Sequence, residues 1–581
     1  MYAKVFRGGK LLAISKGEKG GSRPIAVGDA ARRIVARALS AVTSKALAGW
    51  CETTYENCVQ FSSGTPVGAE KFLVSVLLAL GGEAAPDVDP SQRDDDPLVV
   101  ITLDTKNAFN TLDRQIFVDV LTNTLLRNRG PLTQDNLPHP PEIFKVHFPF
   151  IRAYYGDVGS LTFHAADGSF HVVESSTGVQ QGCTLGGQLF NIGTLPLVGA
   201  AMASHPKCFA GMWADNIHVV GKLSEAYPAA SDIGKALGTA GLQMQPRDSA
   251  LYVPSYHAAD QEPRILPQLR SQYPDMHLPW AKDGVRTLGF PLGNPGFVQR
   301  SLQSIAESIE KELPIIAQLD DGLVHFQVLS MCTNARLPFF LRGVSHDIAR
   351  PFVQRIDDAI WKAFGDYANF PAGFEGMDAF RDAHIQFRLP IPAGGLGVAP
   401  GSVKAAAAFY VGMSLAFKFA AKARYEANGN LLRSSHFMES SLYKQYMAAR
   451  DELRLHGAVS ADEVRASQED PAVGWDQKTP VLPLFSSLVV ADTSELRLED
   501  VAQTNLVPDQ RRLTRLVHRN SEGLRLSDLT RIGENRACHM ATRDFKARDQ
   551  ESQLNRAHKF RKDQVLKHSP LQFLASTSSL S

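Results

Sequence analysis

An α+β fold is the class this 581-residue sequence predicts, on three observations. Two short apolar, β-branched segments each end in an aspartate: VVITLDTKNAF, centred on Asp104, and FAGMWADNIHVVG, centred on Asp215, 111 residues further on. Helix-period patterns alternate with them, at 31–47, 69–80 and 185–202. Paired strand-like pieces separated by glycine turns supply the hairpins of an antiparallel sheet, and the composition turns helical beyond residue 300.

The elements follow in order. Residues 9–27 read as two extended pieces, GKLLAIS and SRPIAVG, joined by the charged glycine turn KGEKGG, so Lys16, Lys19 and Arg23 sit on or beside a hairpin. After Asp29, ARRIVARALSAVTSKAL repeats apolar residues three and four apart, and AEKFLVSVLLAL at 69–80 does the same; both predict helices. The acidic, proline-broken stretch 83–97 reads as a surface loop. VVITL at 99–103 has the unalternating apolar run of a buried strand. A helix is expected from Thr111 and another near 140–155. LTFHA and SFHVVE, split by ADG, form a hairpin leading into STGVQQGC; helix 185–202 follows, and CFAGMWADNIHVVGKL divides into two β halves about Ala214–Asn216. The glycine-rich IPAGGLGVAPG at 391–401 punctuates the helical part, 402–450 is alanine-rich and helix-like, and 451–581 is more polar with a fraying end.

Net charge is only +1, but residues 1–50 hold ten Lys/Arg against two Asp/Glu, and 501–581 hold fifteen against eight. Basic ends fit contact with a polyanion, and equally a solvated face. The six cysteines have no CxxC spacing, which indicates neither a disulfide framework nor a zinc knuckle. An intracellular setting is expected, nucleus and cytoplasm being unresolved. No run approaches the ~20 apolar residues of a membrane helix, so no membrane partner is expected.

Two carboxylates brought together on neighbouring strands can hold divalent cations for phosphoryl transfer on nucleotides. Either aspartate alone also fits a turn or cap. Phe109, five residues after Asp104, could pack below an incoming sugar, or simply fill the core. Gly178, Gln180, Gln181 and Gly182 make a tight element in which glycine permits close backbone approach to a base pair or phosphate, as does any strand-to-helix turn. Lys16, Lys19 and Arg23 could neutralise a triphosphate or remain surface charge. Backbone carbonyls at Thr105 and Ala214 could add oxygen ligands.

Taken together, GGSRPIAVGDAARRIVAR at 20–37, FSSGTPVGAEK at 61–71, ITLDTKNAFNTLDR at 101–114, SSTGVQQGCTLGGQLF at 175–190, MWADN at 212–216 and GLQMQP at 241–246 resemble a reverse transcriptase domain of non-LTR retroelement type. VRTLGFPLG at 285–293, MCTNARLPFFLR at 331–342 and LPIPAGGLGV at 389–398 match later blocks of that family, in order, over about 400 residues. The resemblance implies a right-hand polymerase fold. Fingers would lie in 1–98, a palm with part of the fingers in 99–265, the palm end and a helical thumb-like region in 266–400, and a helical C-terminal region in 401–581. It implies RNA-directed DNA polymerase activity with dNTP substrates on an RNA template with a DNA primer or RNA–DNA hybrid, and magnesium, with manganese as the substitute. Asp104 and Asp215 would be catalytic and, with Asn216, metal-binding; Arg23 and Lys16 would meet the triphosphate, Phe109 would gate the sugar, and Gln181 with Gly182 would line the nascent pair.

Three departures from the family pattern stand out. The metal-binding turn, usually aromatic-x-Asp-Asp, is Trp213-Ala214-Asp215-Asn216, which replaces one charge by a neutral oxygen donor. Cys183-Thr184 stands where an acid and a proline are usual, and Asp248-Ser249-Ala250 where a lysine, a small residue and an acid are usual. The adjacent Arg247 stays charged and is a poor proton donor. A missing proton donor implies slower chemistry with binding retained, so the alternative is a catalytically weakened or inactive reverse transcriptase-like protein that binds RNA or primer-template. Oligomeric state is not indicated.

Overall fold

The computed structural model describes residues 7–15, 22–65, 67–82, 84, 89, 94–124, 139–165, 167–256, 262–371, 373–389, 396–422, 439–455, 459–460 and 481–482. It is α+β, as the sequence predicts. The chain divides into two units: Met1–Leu288 with Leu292–Asn294 and Ala416–Ser440, and Gly289–Pro291 with Pro295–Leu415 and Ser441–Ser581. Most of the loop 83–97, the KGEKGG turn, much of the 391–401 glycine stretch and nearly all of 456–581 lie outside the described residues.

In the first unit a six-stranded sheet has the order β10-β9-β4-β8-β7-β3. Its members are β3 (Cys58–Gln60), β4 (Leu98–Leu103), β7 (Phe209–Trp213), β8 (Asn216–Lys222), β9 (Ala250–Tyr252) and β10 (Trp280–Ala281). β4 pairs antiparallel with β8 on one edge and β9 on the other, and Val99, Val100, Ile101 and Leu103 are all buried, so both of its faces are covered and its sequence is apolar without alternation. Val99, Ile101 and Leu103 join Ile217, Val219, Ala210 and Met212 in the main core. The same core contains Leu189, Ile192 and Leu195 of helix Gly186–Met202 and Tyr227 and Ile233 of helix Leu223–Gly238. On the other face, the ring of His218 meets Phe72 of helix Gly68–Ala79 at 4.8 Å. Gly211 makes room there, since a Cβ at that position would lie 2.6 Å from the Phe72 ring.

A second sheet of this unit has the order β2-β1-β5-β6, from β1 (Gly9–Ser15), β2 (Ser22–Gly28), β5 (Gly159–His164) and β6 (Phe170–Ser175). β1 and β2 form the expected antiparallel pair, from Gly9↔Gly28 to Ser15↔Ser22. Asp29 then caps helix Ala30–Thr53, its carboxylate accepting the Arg32 N–H at 3.0 Å.

The helix expected from Thr111 is split. A single turn, Ala108–Thr111, stops where Leu112 adopts an extended ψ of 127°, and a new helix begins at Gln115. Asp113 causes the restart, because its carboxylate accepts the Gln115 N–H at 2.9 Å while its own N–H bonds Ala240 O. The segment near 140–155 is a 3-10 helix, Glu142–His147, running into helix Phe148–Tyr154.

The described part of the second unit is mainly helical, with one short parallel strand pair, Val459–Ser460 beside Val481–Leu482. Trp361, on helix His346–Tyr367, is ringed by Phe364, Phe370, Phe380, His384 and Phe387 at centroid distances of 4.6–5.9 Å. Asp357 of the same helix caps Gly401–Lys422, accepting Gly401 N–H at 2.7 Å and the Ser402 hydroxyl at 3.0 Å. Among the described residues the five cysteines are free, and no helix is long and apolar enough to cross a membrane.

Candidate functional site

β4 ends at Leu103, paired with Ile217 of β8. The same antiparallel register, continued by one residue, sets Asp104 opposite Asn216 at the same end of adjacent strands. The β7–β8 hairpin closes with Trp213↔Asn216, leaving Ala214 and Asp215 as its two-residue turn. The register thus brings Asp104, Asp215 and Asn216 to the same end of the sheet from 111 residues apart. Ala214 has φ 54°, in the half of backbone space that non-glycine residues seldom adopt. Holding a non-glycine residue there costs about 1–2 kcal/mol. Burial pushes the Asp215 carboxyl above the usual carboxylate range, against the pull of its own backbone N–H and of the Arg23 cation.

Arg23, exposed on β2, therefore lies within electrostatic reach of Asp215. β2 is tied to the glutamine-glycine turn: Ala26 N–H donates to Gln181 O at 2.7 Å. Gly182, at φ 104°, lies so near β2 that a Cβ would be 2.7 Å from Ala26 O. Gln181 is half-buried and Gly182 exposed. The other end of the turn is fastened to the chain leaving Asp104. Gly178 N–H bonds Leu112 O at 2.8 Å and Val179 N–H bonds Phe109 O at 2.6 Å. Phe109 itself is half-buried, its ring stacked on Phe190 at 4.5 Å and 8°, so the packing reading of this residue is met while part of its surface stays open. Lys16 lies outside the described residues.

Three positioning groups were not anticipated from the sequence. Arg114 gathers the approach to the turn, donating to Gly178 O at 2.9 Å, Ser175 O at 3.0 Å and Thr177 O at 3.1 Å, with its guanidinium 5.2 Å from the Tyr155 ring centre. Gln60, fully buried on β3, accepts the Ala214 N–H at 3.0 Å and donates to Ala214 O at 3.3 Å. The Ala214 carbonyl, expected as a further metal ligand, thus already serves Gln60. Ser249, in the tripeptide that departs from the family pattern, accepts the Asp104 N–H at 3.1 Å and donates to Gln245 O at 2.9 Å. Gln245 N–H in turn bonds Asp104 O at 2.8 Å. Arg247 and Asp248 are exposed on that loop.

Two carboxylates and one amide oxygen are donor types that suit a hard cation. No protein-family model matches the chain, and no curated protein sequence matches it. Solved structures do. Telomerase from Candida albicans with a fragment of telomeric RNA is 15% identical over 67% of this chain and 63% of that one, at a TM-score of 0.33. Apo telomerase from Candida tropicalis is 12% identical over 73% and 68%, at 0.35. A chain of an RdRp complex is 10% identical over 76% and 42%, at 0.30. The chain thus spans less than two thirds of the Candida albicans telomerase chain. At such scores the likeness does not by itself define the fold, which is read from strand order and register.

Proposed function

We propose that the chain is an RNA-directed DNA polymerase of reverse-transcriptase type, extending a DNA primer on an RNA template with dNTPs. The observation that carries this reading is the β4–β8 register, which sets Asp104 and the Asp215–Asn216 turn at one end of adjacent strands. The collinear blocks from 20 to 398 support the finer assignment to the non-LTR retroelement type, with fingers, palm and thumb in that order.

Asp104, Asp215 and the Asn216 amide oxygen are the groups that would hold magnesium, or manganese in its place. Bound there, the cations lower the pKa of the primer 3′-hydroxyl and offset the triphosphate charge. Arg23 supplies a fixed cation on the same side as Asp215 and takes the incoming triphosphate. Phe109, backed by Phe190, sets the floor under the sugar and excludes a 2′-hydroxyl. The Gln181–Gly182 backbone, held against β2, lines the nascent pair. The partners are an RNA template and a DNA primer or their hybrid.

Asn216 and Asp248 favour a second reading, a weakened polymerase whose main role is binding RNA or primer-template. Primer extension on an RNA template with dNTPs and Mg²⁺, repeated with Mn²⁺ and with Asp104→Ala as the blank, separates the two. Extension lost in the variant supports the polymerase. Binding of primer-template without extension selects the second reading, and absence of binding at moderate salt removes both.

A further inference from the structure

We infer that Gln60 and Ser249 are positioning residues that fix the two carboxylates for a divalent cation, an inference resting on the metal-binding reading of Asp104 and Asp215. Beside each carboxylate, main-chain groups are tied down by hydrogen bonds. On the Asp215 side, both main-chain groups of the preceding residue, Ala214, are taken by the one amide of Gln60, which also accepts the Ser62 N–H at 3.1 Å. On the Asp104 side, the N–H goes to the Ser249 hydroxyl and the C=O to Gln245 N–H.

The two clamps reach the site from opposite directions in the chain, 154 residues before Ala214 and 145 residues after Asp104. Both clamp residues are buried, Gln60 at 0% and Ser249 at 3% exposure, so water does not compete for their bonds. Gln60 is matched to its task in a way no carboxylate or apolar residue is, because the Ala214 backbone presents one donor and one acceptor and the amide answers both with its oxygen and its NH2. The unfavourable φ of Ala214 makes this bond pair matter: without it, the turn has reason to relax and to carry Asp215 with it. Ligands set in advance lose no freedom when the cation arrives, which raises affinity.

The test is direct Mn²⁺ binding to the full chain, read as loss of the free-ion electron paramagnetic resonance signal, for the wild type and for Asp215→Ala, Gln60→Leu, Ser249→Ala and Ser249→Thr. Expected are binding by the wild type, loss in Asp215→Ala, a roughly 10- to 100-fold weaker Kd in Gln60→Leu and Ser249→Ala, and recovery in Ser249→Thr, which keeps the hydroxyl. Primer-template affinity should stay unchanged in both clamp variants. If Gln60→Leu fails to fold, the Ser249 pair carries the test alone. Wild-type Kd values in Gln60→Leu and Ser249→Ala would overturn the inference and leave the metal site standing. A wild type blind to Mn²⁺ would overturn the metal site and, with it, the inference.

Discussion

Gly182 meets Ala26 so closely that position 182 has no room for a side chain: a Cβ there would lie 2.7 Å from Ala26 O, and the neighbouring Gln181 O accepts the Ala26 N–H at 2.7 Å. This contact joins the strand that carries Arg23 to the glutamine-glycine turn.

Gly182→Ala should therefore part the turn from β2. Its φ of 104° adds strain of about 1–3 kcal/mol to the clash. The expected outcome is a lowered melting temperature and a raised KM for dNTP, with primer-template affinity kept. An unchanged KM would mean that the turn does not line the nucleotide.

Asn216→Asp restores a second charge to the β7–β8 turn. Extension should reach half its maximum at several-fold lower Mg²⁺. In EDTA the same variant should melt earlier, since a third carboxylate joins Asp104 and Asp215 and like charges repel. A Mg²⁺ requirement equal to the wild type's would place any lesion elsewhere, with Asp248 the next candidate.

Phe109→Ala removes a ring stacked on Phe190. Because Phe109 is only half-buried, denaturant unfolding should register a loss of about 2 kcal/mol rather than the full cost of a core phenylalanine. Ribonucleotides should then be incorporated. Unaltered sugar preference would assign Phe109 to packing alone.

His147 is fully buried, its Nε2 3.3 Å from the Thr43 hydroxyl, and burial holds its imidazole pKa down at about 4. The unfolded chain, with His near 6.5, binds the proton first, so stability from this group is full above pH 6.5 and drains away as pH falls towards 4. The loss amounts to at most about 3 kcal/mol. Melting temperature measured across this range should fall less in His147→Gln than in the wild type. Parallel curves would show that His147 does not titrate there.

Much of the scaffold was legible because its signals are local. The β7–β8 hairpin, the helix Gly186–Met202 and the buried strand β4 carry periodicity or apolar runs that neighbouring residues reinforce. The pairing of Asp104 with the Asp215 turn was also visible, since both aspartates close strong β segments. Gln60 was not. It sits on a strand of three residues, too short to show alternation, and its partner is 154 residues away. Ser249 was hidden differently, inside a tripeptide that departs from the reverse transcriptase pattern the sequence resembles and turns out to bond the Asp104 backbone. The break at Leu112 escaped because a helical pattern spans it, and only Asp113 signals the restart.

β3 does more than deliver Gln60. By pairing in parallel with β7, from Cys58↔Ala210 to Gln60↔Met212, it covers the outer edge of the apolar strand Phe209–Trp213. A fragment starting at residue 98 would keep the aspartates and lose this cover, presenting five residues of bare, hydrophobic strand edge to other chains. Such a truncation should go into inclusion bodies, so soluble expression of the six-stranded sheet depends on the three residues of β3 as a shield against self-association.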